Sequence, residues 1–402
     1  TDGYYAHTRA DDMVVRTIRA LLGRHPDLDP ARIDDNVWAA TTQQGDQGLT
    51  IGRTSAILAG LPTSVPGYAV DRMCAGALTS ITNAANAIRT GAQQLVIAGG
   101  VEHMGHHPIA QGADPNPRFL AEKLVVASAL VMGQTAENLH DELPQVTRER
   151  ADAYAVQSQE RVAKAQAAGV FDSHVVRMAV WSEAGWRVVT ADEHPRPGTT
   201  IEALAGLKTP FRPGGRVTAG NAAGLNDGAG CVLLADRDTA AELGLPARMR
   251  LLDYTFVGVA PETMGYGPIP ATNRLLAKTG LSLDDIDVVE MNEAFAVQCV
   301  AFLDHFGLPL DSPKVNPYGG AIAMGHPLAM SGARLTQQLA HHFATHDDAR
   351  LGLVTLCVGL GMGCSVLWER TSGTVGAEGA DGGRAESGTV GAEGADGGRA
   401  KG

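Results

Sequence analysis

Cys74 has the surroundings of a reactive thiol. It lies in VDRMCAGALTS, directly before a segment with helical spacing, so its sulfur would sit at a helix N-terminus. Backbone N–H groups there favour the thiolate and can lower the pKa of a thiol from ~8.5 to roughly 3.5–7.5. Ala75, Gly76 and Ala77 leave room for a ligand to approach the sulfur. A lone cysteine is more often an inert core residue, but this pattern favours a nucleophile.

His326 is a candidate general base. In GGAIAMGHPLAMSG it is preceded by Gly319, Gly320 and Gly325, which clear space on one side, and followed by Pro327, which stiffens the other. A base must be held in place to act on a reacting group. The alternative is a structural hydrogen-bonding histidine, but so many glycines are unusual around a histidine that only packs.

Two further candidates follow strand-like runs. Cys357 comes after LGLVTL and before GLGMG, so we expect it at the carboxyl end of a strand, with glycine N–H groups free to face a substrate oxygen. A dinucleotide loop is disfavoured, because a strand-like run follows where a helix should begin. Asn292 follows DVVEM in the same way and opens NEAFA. By itself it would be interpreted as a helix cap.

We predict no metal site and no tightly bound cofactor. His103, His106 and His107 in EHMGHHP have no matching cysteine or carboxylate set. The five cysteines are scattered without a CxxC pair, which is typical of a reducing, cytoplasmic setting. A net charge of -12 argues against binding nucleic acid, and the absence of a long apolar run argues against membrane insertion.

The elements that must position these side chains are typical of an α/β protein, with apolar runs alternating with helical patterns. A helix face followed by a strand occurs twice, which predicts two similar halves. The first copy comprises Leu78, Ile81, Ala85 and Ile88 followed by Gln93 to Gly100, and the second comprises Leu335, Leu339 and Phe343 followed by Leu351 to Val358.

The composition divides the chain into five parts. Residues 105–216 are more polar and contain a charged helical segment, so we predict a loop domain inserted into the first half. The first half then comprises residues 1–104 and 217–245, and the second half residues 246–370. Residues 371–402 contain the block GTVGAEGADGGRA twice, which predicts a disordered tail.

Five separated motifs occur in the order found in one known family: RMCAGAL, GGVEHMGHHP, VTAGNAAGLNDGA, NEAFA, and GGAIAMGHP paired with LCVGLGMG. With these motifs the chain resembles the thiolase superfamily, specifically the 3-ketoacyl-CoA thiolases of fatty acid β-oxidation. The resemblance implies two mixed-sheet halves in a layered αβαβα arrangement with an inserted loop domain. It also implies that the family's opening strand, expected in the middle of the first sheet, is missing before the helix DDMVVRTIRALLG.

The resemblance implies a role for each candidate. Cys74 would be acylated, His326 would take its proton, and Cys357 would act as acid and base on the acetyl-CoA carbon. His326 and a water held by Asn292 would stabilise one oxyanion. The backbone N–H groups of Cys74 and Gly359 would stabilise the other.

The resemblance also implies a coenzyme A site and a substrate, 3-ketoacyl-CoA. Ala219 would lie beside the pantetheine arm, where Ala223 replaces a serine found in many relatives. Met132 would border the acyl pocket, and Arg212 is a cation that could meet the CoA phosphates. The expected assembly is a homodimer or homotetramer, with a hydratase and dehydrogenase subunit as a further partner.

Four alternative functions remain open at this stage. Two are enzymes with a similar fold, a decarboxylating ketoacyl synthase and a hydroxymethylglutaryl-CoA synthase, but Cys357 and NEAFA favour a thiolase over both. The third is a biosynthetic thiolase that forms acetoacetyl-CoA. The fourth is an inactive thiolase-like scaffold subunit, against which the presence of Cys74, Asn292, His326 and Cys357 weighs.

Overall fold

The computed structural model describes residues 3–371. Its helices are α1 (Ala10–Gly23), α2 (Ile51–Ala59), α3 (Gly76–Arg89), α4 (Arg118–Ala121), α5 (Met132–Glu142), α6 (Arg148–Ala167), α7 (Ile201–Ala205), α8 (Arg237–Glu242), α9 (Pro268–Thr279), α10 (Ala296–His305), α11 (Ala321–Met324) and α12 (Ser331–Thr345). Its strands are β1 (Asp35–Ala39), β2 (Tyr68–Val70), β3 (Leu95–His103), β4 (Met178–Ser182), β5 (Gly185–Val189), β6 (Asp227–Ala235), β7 (Met249–Gly258), β8 (Val288–Met291), β9 (Leu351–Val358) and β10 (Met362–Arg370).

Two four-stranded mixed sheets form the framework. The first has the order β2-β1-β3-β6, and the second has the order β7-β10-β9-β8. In each, a helix leads into a central strand that pairs in parallel on one side and antiparallel on the other: α3 precedes β3, and α12 precedes β9. Strand β9 spans the apolar run predicted at Leu351 to Val358. The predicted α/β fold with two similar mixed-sheet halves is therefore confirmed.

The two sheets enclose a central helical layer. Leu78 and Ile81 of α3 and Leu335 and Leu339 of α12 share one core cluster, which also contains side chains of β3 and β9. The apolar residues at spacings of three and four on both helices produce this face. Helix α1 packs on the outer side of the first sheet and α10 on that of the second, in separate clusters. The layers therefore run αβαβα, as predicted.

The first sheet pairs continuously from β2 to β6, so no gap exists for a strand in its middle. The expectation that a missing family strand belongs there is wrong. In the second sheet, the first strand β7 lies at an edge, antiparallel to β10. The counterpart of β10 in the first sheet is β6, which pairs only with β3 among residues 3–371.

Between the two parts of the first half, residues 105–216 contain α6, which coincides with the predicted charged helix, and the hairpin of β4 and β5. The domain limits drawn from composition stay predictions. The predicted disordered tail, residues 371–402, lies outside the described residues except for Thr371. In the described part of the chain, no helix is long and apolar enough to cross a membrane.

Candidate active site

Three chain segments meet at Cys74. The residue lies in the 3-10 turn Met73–Ala75, just before α3. Its side chain packs with Leu328, two residues after His326, and with Met104 beyond β3. The backbone N–H of Gly359, which follows β9, also faces the Cys74 sulfur. The sequence-predicted nucleophile therefore lies where the segments carrying His326 and Cys357 converge.

Burial raises the pKa of the Cys74 thiol to about 12, against the lowering effect of the N–H groups of Gly359 and of Cys74 itself. The prediction of a lowered pKa was therefore wrong. Two features explain this. Only 4% of the residue is exposed, and α3 begins at Gly76, two residues later, so Cys74 is not in the helix's first turn. The resting thiol is protonated and needs a base.

The turn that presents Cys74 has a left-handed residue. Met73 has φ +46°, and its N–H donates to Asp71 Oδ1 at 2.7 Å, which holds this conformation.

The small residues after Cys74 allow close packing rather than ligand access: a Cβ at Gly76 would lie 2.7 Å from the Cβ of Ala39. Their predicted role in making room for a ligand is therefore corrected.

The hydrogen bonds around His326 determine its tautomer. Nδ1 lies 2.6 Å from Ser331 Oγ. The single Ser331 hydroxyl proton is donated to the Pro327 carbonyl oxygen at 3.1 Å, so the Ser331 oxygen must accept from Nδ1–H. The other ring nitrogen, Nε2, then carries the lone pair. His326 is therefore arranged as a base at Nε2.

Asn292 lies against the His326 ring. Its Nδ2 lies 3.3 Å from His326 Nε2 and 3.4 Å from Nδ1, and its Oδ1 accepts from Arg334 Nη2 at 3.3 Å. The arginine orients the amide so that its NH2 group lies beside the imidazole, nearly equidistant from the two ring nitrogens. Burial, with a smaller effect of the Arg334 charge, lowers the pKa of His326 to about 3. The imidazole is therefore neutral at physiological pH.

The glycines before His326 bring backbone close to polar side chains. A Cβ at Gly320 would lie 2.4 Å from the Glu293 carboxyl carbon, and one at Gly325, where φ is +94°, would lie 2.2 Å from Asn226 Cγ. Asn226 Oδ1 in turn accepts from the His326 N–H at 3.1 Å. These glycines therefore anchor the histidine segment. The prediction that they clear space for a ligand is wrong.

Cys357 is the last residue but one of β9, at the carboxyl end of the strand as predicted. Its side chain is fully buried, and its thiol donates to Gln298 Oε1 at 2.9 Å. Burial, together with the nearby Cys74, raises the pKa of Cys357 well above its usual value. Gln298 Nε2 donates to the Asn292 carbonyl oxygen at 2.9 Å. The second thiol is thus connected to the segment that carries Asn292.

The residues predicted to contact coenzyme A do not all lie together. Met132 lies in the site, since its methyl group would be 2.8 Å from a Cβ at Gly359. Ala219 is exposed, and the half-buried Ala223 donates its N–H to the carbonyl oxygen of Ala294 in NEAFA at 2.9 Å. Arg212 instead binds the side chains of Asp141 and Asn138, at 2.5 and 3.0 Å.

The three histidines at the end of β3 and directly after it are paired with carboxylates. His106 and His107 lie 3.2 and 2.5 Å from Asp46, and His103 lies 3.3 Å from Asp227. Across residues 3–371, no group of three or more His, Cys, Asp and Glu side chains is arranged to hold a metal ion.

Sequence reasoning missed four residues that position this site: Asp71, Gln298, Ser331 and Arg334. Ser331 and Arg334 lie at the start of α12, and Gln298 lies in the first turn of α10. All three are buried polar residues on helices whose neighbouring positions are apolar. That contrast was the available signal, because buried polar side chains require partners.

The geometry combines the components that acyl transfer requires. A thiol can attack a thioester or ketone carbon once a base takes its proton, and His326 Nε2 is an unprotonated base. A second thiol can give and accept a proton. Backbone N–H groups directed at the nucleophile can stabilise an oxyanion that forms there.

Comparisons with known proteins agree with this arrangement. The chain matches the family "Thiolase, N-terminal domain" over residues 1–238 and "Thiolase, C-terminal domain" over residues 245–370. It is 42% identical over 389 residues to a 3-oxoadipyl-CoA/3-oxo-5,6-dehydrosuberyl-CoA thiolase of Escherichia coli, covering 92% of this chain and 95% of that one. It is also 42% identical over 373 residues to a 3-ketoacyl-CoA thiolase of Aliivibrio fischeri, with the same coverages.

Solved structures show the same similarity. The human mitochondrial 3-ketoacyl-CoA thiolase superposes with a TM-score of 0.83 at 33% identity, covering 92% of this chain and 95% of that one. The acetyl-CoA acetyltransferase of Bacillus anthracis gives a TM-score of 0.82 at 34% identity, with the same coverages. Two domain matches that span almost all of residues 1–370, and relatives of this identity, show that the chain is an acyltransferase belonging to the thiolase family.

Proposed function

We propose that this enzyme is a 3-ketoacyl-CoA thiolase, which cleaves 3-ketoacyl-CoA with coenzyme A to acetyl-CoA and an acyl-CoA shortened by two carbons. The observation that carries the proposal is the convergence of the segments bearing Cys74, His326 and Cys357 around the buried Cys74 side chain. A pathway in fatty acid β-oxidation and an acyl-cysteine intermediate at Cys74 are parts of the same proposal.

In the first half-reaction, His326 Nε2 takes the Cys74 proton while the sulfur attacks the 3-keto carbon. The bond between C2 and C3 then breaks, its electron pair remains on C2, and Cys357 gives C2 its proton to release acetyl-CoA. In the second half-reaction, the CoA thiol gives its proton to the Cys357 thiolate and its sulfur attacks the acyl group on Cys74. The departing Cys74 sulfur recovers its proton from His326.

Two sets of donors fit the two oxyanions. The N–H groups of Cys74 and Gly359 face the sulfur that would become acylated, and so suit the carbonyl oxygen attached to it. Asn292, held by Arg334, lies beside His326 and suits a second oxygen. One donor of this kind can contribute about 3 kcal/mol of transition-state stabilisation.

The surroundings of Gly359 favour an apolar acyl chain. Met73 and Met132 both reach the space above this glycine, and Met104 and Leu328 surround Cys74. Thioether and aliphatic side chains adapt to apolar chains of different length. An acyl chain ending in a carboxylate, as in 3-oxoadipyl-CoA, would need a cation there, and these four side chains provide none.

Ala219, Ala223, Met132 and Arg212 are the proposed contacts to coenzyme A. The backbone from Ala219 to Ala223 lies against NEAFA and carries small side chains, which suits the narrow pantetheine arm. Arg212 would have to exchange its pairing with Asp141 for a CoA phosphate.

The test is thiolysis of acetoacetyl-CoA, a longer 3-ketoacyl-CoA and 3-oxoadipyl-CoA, followed by loss of ketoacyl absorbance, with mass spectrometry of Cys74 after a single turnover. We expect the longer apolar substrate to have the highest kcat/KM and Cys74 to become acylated. Cys74→Ser should abolish turnover. Cys231→Ser is the matched control, because Cys231 is also buried but lies on β6 in the core cluster on the outer side of the first sheet. Preference for 3-oxoadipyl-CoA would refute the apolar substrate class, and no CoA-dependent turnover would refute the enzyme function.

A further inference from the structure

Gln298 makes direct contact with the second catalytic thiol. It lies in the first turn of α10, six residues after Asn292, and only 1% of it is exposed. Its Oε1 lies 2.9 Å from Cys357 Sγ, and its Nε2 lies 2.9 Å from the Asn292 carbonyl oxygen. The two ends of one buried amide thus join Cys357 to the backbone of the residue that faces His326.

This pairing leaves one orientation for the amide. The Asn292 carbonyl oxygen can only accept, so the NH2 group of Gln298 must face it. The oxygen of the amide then faces Cys357, and only a protonated sulfur can donate to it. A hydrogen bond to the neutral form of an acid favours that form. Gln298 therefore favours the thiol over the thiolate and restricts the rotation of the sulfur.

We propose that Gln298 is a positioning residue for proton transfer by Cys357, an inference that rests on the proposed thiolase reaction. When Cys357 removes a proton from C2 of acetyl-CoA, the new S–H group finds an acceptor already in place. When it gives the proton back, the fixed amide keeps the sulfur directed at C2. Gln298 takes no part in the attack by Cys74, because its polar atoms are bound to Cys357 and Asn292.

The experiment compares two partial reactions in Gln298→Met, which keeps the length of the side chain and removes the amide. Exchange of the acetyl-CoA methyl hydrogens with D2O depends on Cys357. Acylation of Cys74 by an acyl-CoA, followed by mass spectrometry, depends on Cys74 and His326. We expect exchange to fall at least about tenfold, a part of the roughly 10²- to 10⁴-fold that a positioned acid or base contributes. Acylation and the KM for acetyl-CoA should change less than about threefold on the same reasoning.

Gln337→Met is the matched control. Gln337 lies on α12 and binds the Cys231 carbonyl oxygen at 2.9 Å, so its loss also removes a part-buried amide hydrogen bond. Thermal unfolding of both variants checks that they fold. Wild-type rates of exchange in Gln298→Met would overturn the inference, as would an equal loss of exchange and acylation. If none of the acyl-CoA substrates acylates Cys74 in the wild-type enzyme, the proposed function itself fails. This outcome is distinct from a failure of the Gln298 inference, which is seen only in the variant.

Discussion

Ser331 controls the proton position on His326, and its removal should slow acylation of Cys74. In Ser331→Ala, the Nδ1–H group loses its only acceptor, Oγ at 2.6 Å. Ser331 is fully buried and His326 is 5% exposed, so water cannot easily replace the hydroxyl group. The ring can then keep an unsatisfied buried donor or move its proton to Nε2, where the base is needed.

The size of the effect follows from the cost of an unsatisfied buried donor, about 1–3 kcal/mol. If the reactive tautomer becomes less favourable by about 1.4–2.8 kcal/mol, its population falls about tenfold to a hundredfold. The rate constant for acylation of Cys74, measured by rapid quenching and mass spectrometry, should fall by the same factor. The KM for acyl-CoA should stay nearly constant, because Ser331 is behind the imidazole and not beside the substrate.

Ser365→Ala is a matched control for this experiment. Ser365 is also fully buried, and its hydroxyl lies 3.0 Å from that of Thr272 and 2.9 Å from that of Thr355 within the second half. Both alanine variants should lose stability, but only Ser331→Ala should lose acylation rate. If Ser331→Ala is acylated within about twofold of the wild-type rate, the change in activation free energy is less than ~0.5 kcal/mol and the tautomer argument is refuted.

Two further predictions concern stability. His326 has a folded-state pKa of about 3 against an ordinary value of 6.5, so the unfolded chain binds its proton first as pH falls below 6.5, and stability decreases. Between pH 7 and 5 this contributes a loss of about 2 kcal/mol, which urea unfolding should detect and His326→Gln should remove; an unchanged pH dependence in that variant would contradict the assignment. Glu137→Gln should lower the free energy of unfolding by about 1–3 kcal/mol, because the buried carboxylate accepts the N–H groups of Arg216 and Val217. The exposed Glu142→Gln on the same helix should have little effect, and equal unfolding midpoints of the two variants would argue against this role.

Much of the framework could be predicted from local patterns. The apolar spacing of α3 and α12 and the continuous apolar runs of β3 and β9 identified the helix-then-strand order that repeats in both halves. These signals are strong because each element is buried along a whole face or on both faces, and burial requires apolar residues at regular positions. The motifs also identified Cys74, His326, Cys357 and Asn292, which the fold brings together.

Only the tertiary structure determines the pKa values and the tautomer of those side chains. The pKa of Cys74 depends on its burial, and not only on the helix that follows it, so the sequence suggested the wrong direction. The tautomer of His326 depends on its hydrogen bond with Ser331, a contact that the spacing of residues in the sequence does not predict. Local sequence determines which face of an element is apolar, whereas desolvation and hydrogen-bond geometry arise only when distant segments exclude water together.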